Sequence, residues 1–148
     1  MRILCRYIHR CIPIYSLRNY TKKVMSNPKL VACRCIDENK EHLIELSQEI
    51  WKHPELGFQE YHAHDVLTRF LNEAGFDVDR KYKLDTAFRA VYGDGKPHIA
   101  VLCEYDALPN IGHACGHNLI AEVGVATGMA IKAAMASNKQ KVGKVRKP

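Results

Sequence analysis

Apolar residues recur at helical spacing in three stretches of this chain, and between them they gather into short runs with a different rhythm. Leu43, Ile44, Leu46, Ile50 and Trp51 mark the first stretch, with Asp37 placed to cap its start and Pro54 to end it. Pro54-Glu55-Leu56-Gly57-Phe58 reads as a turn. A second helix is predicted from about Glu60, with Ala63, Val66, Leu67, Phe70, Leu71 and Ala74 on one face and Gly75 as its stop. Phe76–Val78 and Thr86–Tyr92 read as short strands, and Gly93-Asp94-Gly95 turns the chain into Ile99–Cys103. That run is short and continuously apolar, which predicts a strand buried on both faces. The third helix starts at His117-Asn118 and carries Leu119, Ile120, Val123, Ala126, Thr127, Ala130, Ile131 and Ala134. Gly124 and Gly128 each cost about 1 kcal/mol against Ala inside a helix, so they predict close packing on a sheet. The order of elements fits an open α/β fold, with helices flanking a mainly parallel sheet.

Charge divides the 148 residues into three parts. Residues 1–36 carry eight Lys/Arg and no acid, residues 37–131 carry eight basic and sixteen acidic side chains, and residues 132–148 carry six basic and no acid. The net charge of +6 therefore comes from the two ends, and the middle is acidic. No basic stretch is interleaved with aromatics for stacking on bases, so no nucleic-acid partner is predicted. The expected organisation is a basic extension over 1–36, a folded unit over 37–136 and a basic tail over 137–148. In residues 1–29, Arg2, Arg6 and Arg10 would line one face of a helix, as in a mitochondrial presequence. A disordered extension, or a segment ahead of an internal start at Met25, fits the same composition. Six cysteines without framework spacing point to free thiols in a reducing compartment, and the expected location is cytoplasmic, or mitochondrial if the first residues target it. No uninterrupted run of about eighteen apolar residues occurs, so no membrane span is predicted.

Candidate chemistry concentrates in Val101–His117, VLCEYDALPNIGHACGH. Cys115 and His117 offer a thiolate and an imidazole two residues apart, a donor pair that suits tetrahedral zinc. Glu104 and Asp106 end an otherwise apolar run, where charge is costly unless paired or metal-bound. A carboxylate there can also fix the tautomer of a ligand imidazole. The plainer readings are a small core cysteine and a histidine that caps a helix. His42, His62, His64 and His98, with Cys33, Cys35 and Cys103, carry no assigned role.

EYDALPNIGHACGHN, preceded by HPELGFQEY at His53–Tyr61, closely resembles the co-catalytic metallopeptidases of the aminoacylase and carboxypeptidase superfamily, within its amidohydrolase branch. The resemblance covers about residues 37–136. It implies a zinc-peptidase-like catalytic domain that binds two divalent metal ions, zinc or manganese, bridged by a water that attacks an amide carbonyl. Cys115 and His117 match metal ligands of the family, and Asp106 matches its catalytic aspartate, in an orienting role. His113 matches a histidine common in this branch and Glu104 stands where other branches have a histidine ligand, which makes both candidates for supporting places around the metal rather than ligands. The implied reaction is hydrolysis of a dipeptide or an N-acyl amino acid, with a basic C-terminal residue as the implied preference, by a homodimer of the full-length protein. The family's Glu-Glu pair, which supplies a general base and a further ligand, occurs nowhere in the 148 residues. The chain is therefore expected to be the opening part of such an enzyme and inactive alone; a non-catalytic product that binds a partner or is degraded is the alternative.

Overall fold

Asn27 and Pro28 start the first helix by two different means. The Asn27 side chain accepts from the Lys29 amide at 3.0 Å, and Pro28 occupies the first turn, where its missing N–H costs nothing. A computed structural model describes residues 27–137. Helix α1 runs over Pro28–Glu38, α2 over Lys40–Lys52, α3 over Tyr61–Glu73 and α4 over His117–Ser137, with strands β1 at Asp77–Arg80 and β2 at Phe88–Val91. The expectations about residues 1–26 and 138–148, including the presequence and most of the basic tail, lie outside the described residues.

The helices bury the stripes their periodicity marks. Leu43, Leu46 and Ile50 of α2 meet Ala63, Val66, Leu67 and Leu71 of α3 and Ala121 and Val125 of α4 in one core. Two readings of the first stretch are corrected. Asp37 lies in the last turn of α1 rather than capping α2, and it is Asn39 that separates the two helices, its amide bonding back to Cys35 and Ile36. Trp51 and Ile44, both at helical spacing, face outward at 55% and 41% exposure.

The sheet differs most from expectation. β1 and β2 pair antiparallel, Val78 opposite Ala90, and they form the sole sheet among the described residues. Among the described residues parallel pairing is an isolated bridge between Leu56 and Ala107, so the fold is mixed helix with a two-stranded antiparallel ribbon and the mainly parallel sheet is not seen. Ile99–Cys103 is not a strand: Ile99 is 84% and Leu102 91% exposed. A strand buried on both faces needs neighbours on both edges, and no described strand flanks this one. Gly124 and Gly128 do make close approaches, but to side chains of irregular segments. A Cβ on Gly124 would lie 2.8 Å from the Cys103 sulfur, and one on Gly128 would lie 3.6 Å from Phe76.

By length and composition alone α4 could cross a membrane, the one such helix among the described residues, although charged residues interrupt its apolar run. In this fold it packs on α1 and α2. Its first turn buries Asn118, which donates to the Ser47 hydroxyl at 3.1 Å.

Candidate metal centre

Two short hydrogen-bonded closures shape the loop before α4. Leu108 and Gly112 exchange main-chain bonds of 2.9 and 3.2 Å around Pro109-Asn110-Ile111. Next, His113–Cys115 makes a single 3-10 turn, closed by the Gly116 amide on the His113 carbonyl at 2.9 Å. Gly116 sits at φ 81°, the left-handed region, and its carbonyl accepts from Leu119 and Ile120 to begin α4. Glycine between Cys115 and His117 is thus what lets one turn end and the next helix start. The HPELGF segment holds the loop from the other side: the Ala107 amide donates to the Glu55 carbonyl at 2.7 Å, and Pro54 lies against Gly112.

This geometry gathers Glu104, Asp106 and His117. One ligand atom from each lies within 4.8 Å of the others. His117 Nδ1 stands 2.7 Å from Asp106 Oδ1, and its Nε2 stands 3.2 Å from Glu104 Oε2. The imidazole is largely enclosed, Asp106 is half-buried and Glu104 is exposed. A neutral imidazole can donate to one acid only, so with Nδ1 on Asp106 the Nε2 atom facing Glu104 can accept a cation. The donor set of imidazole and carboxylates with a thiol nearby fits a zinc-like ion.

The other two candidates stand beside this group. Cys115 is not one of the three clustered residues; its thiol donates to the Asp106 main-chain carbonyl at 3.7 Å. His113 is buried with neither ring nitrogen hydrogen-bonded to another described residue, and burial holds its imidazole below the ordinary range. Among the described residues Cys33, Cys35, Cys103 and Cys115 are free thiols.

Sequence reasoning missed two contributors. Glu55 spans the turn and caps α3 with both carboxylate oxygens, at 2.9 Å from the amides of His62 and of Ala63. Glu49, His53 and His62 form a second cluster of ligand atoms within 4.8 Å. The Glu-x-x-x-His spacing of Glu49 and His53 was the available signal for it.

No protein-family model matches the chain. Among curated proteins it is 48% identical over 121 residues to the human Xaa-Arg dipeptidase, a match covering 72% of this chain and 28% of that protein. The mouse Xaa-Arg dipeptidase is 48% identical over 117 residues, with 72% and 27% covered. An Escherichia coli relative, one of the subunits of p-aminobenzoyl-glutamate hydrolase, is 35% identical over 115 residues, with 66% and 24% covered. The matches thus span about a quarter of the length of these relatives.

Proposed function

Because the chain belongs to the amidohydrolase branch of the aminoacylase and carboxypeptidase metallopeptidases (peptidase family M-twenty), we propose that it supplies the first part of a metal-dependent amide-hydrolysing site. The substrate class is a dipeptide or an N-acyl amino acid, after the relatives named for Xaa-Arg dipeptides and for p-aminobenzoyl-glutamate. The observation that carries this reading is the His117 imidazole held between Asp106 and Glu104.

In this reading Asp106 is the positioning acid. Its carboxylate accepts a hydrogen bond from Nδ1–H, which fixes the tautomer and leaves the Nε2 lone pair facing Glu104. His117 would hold the metal, zinc or manganese, with Cys115 turning from the Asp106 carbonyl to join it, and the whole protein would hold two ions. When bound, such an ion polarises a carbonyl and lowers the pKa of water toward neutrality. No residue of this chain is assigned as general base, a group typically worth about 10²–10⁴ in rate, so residues 1–148 alone are expected to give no turnover of an Xaa-Arg dipeptide. Homodimerisation of the whole protein and a cytoplasmic or mitochondrial location belong to the same reading.

Cobalt titration of the chain tests it. A sulfur-to-cobalt absorption band should appear, persist in Cys33→Ser and vanish in Cys115→Ser, while Asp106→Asn weakens the site about 10–100-fold. A band that survives Cys115→Ser removes the assignment. The exposure of Ile99 and Leu102 favours a second reading, a chain that acts by pairing this segment with another polypeptide.

A further inference from the structure

We propose that Glu49, His53 and His62 form a second site for a zinc-like divalent transition metal, built from residues outside the Glu104/Asp106/His117 centre. Glu49 lies in the last turn of α2, His53 is the residue just past its end, and His62 comes from the first turn of α3. Glu49 Oε1 stands 3.0 Å from His62 Nε2 and 3.4 Å from His53 Nδ1. Two ligand atoms on a tetrahedral zinc, each bonded at about 2.1 Å, stand about 3.4 Å apart, so the His53 edge already fits and the His62 edge would open by about 0.4 Å. The two imidazoles also lie against one another, centroids 4.3 Å apart at an interplanar angle of 41°. His53 Nδ1 also lies 2.9 Å from the Glu49 carbonyl, a bond it would give up on turning to the metal.

The cluster stands on rigid supports. Ile50, one residue after Glu49, is fully buried, and Ala63, next to His62, is 1% exposed. Glu55 clamps the His62 and Ala63 amides, so the backbone that carries the His62 ring is tied to the loop that follows His53. Hydrogen bonds of His53 to the Glu49 carbonyl and of His62 to the Glu49 carboxylate already gather the three side chains, though exposed contacts of this kind contribute only about 0–1 kcal/mol. A metal ion would hold the same group more firmly. Two imidazoles and one carboxylate select zinc, copper or nickel over magnesium or calcium, which prefer all-oxygen shells. All three side chains are partly open to solvent, so water completes the shell. The ion would tie the end of α2 to the start of α3.

The test keeps this site distinct from the one at His117. In the full chain carrying Cys115→Ser and His117→Ala, calorimetric titration with zinc chloride in millimolar magnesium should show one bound equivalent without a thiolate band when cobalt replaces zinc. Adding His62→Ala or His53→Gln should weaken that binding at least about tenfold, and Glu49→Gln should weaken it measurably. In the unaltered chain, substoichiometric Cu²⁺ should broaden the ring-proton resonances of both His53 and His62, a readout that depends on no variant folding. Zinc affinity unchanged by His53→Gln with His62→Ala, or Cu²⁺ broadening confined to other histidines, overturns the proposal.

Discussion

His64 is buried against the edge of Phe88, ring centroids 6.0 Å apart, and its Nε2 has no hydrogen-bond partner among the described residues. Burial first, and the Arg80 guanidinium second, hold its imidazole below the ordinary range. The unfolded chain takes up a proton as pH falls through about 6.5, while folded His64 resists it. Stability attached to this residue is therefore full above that pH and is lost as pH falls below it. Denaturant titrations at about pH 7 and about pH 5 should show weaker folding at the lower value, and His64→Leu should lessen the difference. His113, lowered by the same cause, supplies a remainder of the same sign. An unchanged pH difference in His64→Leu would mean that another group governs the acid side.

At the scale of elements, α3 depends on a cap that is remote along the chain. Its N-terminal neighbour Glu60 makes no capping bond and instead accepts from the Phe58 amide at 2.8 Å and the Thr86 hydroxyl at 2.6 Å. Glu55 does the capping, so Glu55→Ala should cost about 1–3 kcal/mol in a thermal or denaturant melt, and Glu55→Gln less. A melt unchanged by Glu55→Ala would show that water caps the helix equally well. This cap explains what was legible in the sequence. Periodicity located α2, α3 and α4, because a buried stripe repeats in the primary structure. A carboxylate that reaches seven residues along to an amide leaves no period, and Glu49, His53 and His62 meet only because that turn folds back. The loop containing Asp106 and His117 was legible from composition, since acids beside imidazole and thiol stand out against apolar neighbours. The pairing of β1 with β2 was not, because short strands of mixed polarity carry no sign of their partner.

For the whole molecule, the apolar run at 99–103 is the open side of the structure. Among the described residues no main-chain group bonds the amides of Ile99–Cys103, and Leu102 is 91% exposed. Hydrogen exchange there should proceed near the rate of a free peptide, while the core amides of α3 exchange orders of magnitude more slowly. Slow exchange across 99–103 would reveal a paired strand. Protection that appears only with a second polypeptide present would identify its pairing surface.

The far end of α4 answers to its near end. Lys132 donates to the carbonyls of Ala74 and Gly75 as α3 finishes, and its ammonium lies 5.2 Å from the ring centres of both Phe76 and Tyr92. About 22 Å away along the axis, at 1.5 Å per residue, His117 stands at the loop and Asn118 grips Ser47. The helix is a beam clamped at both supports. It cannot slide lengthwise without pulling the ammonium from its carbonyls and the amide from its hydroxyl in one movement. An axial load at either clamp is therefore delivered to the other, and the imidazole of His117 rides on the end of that beam.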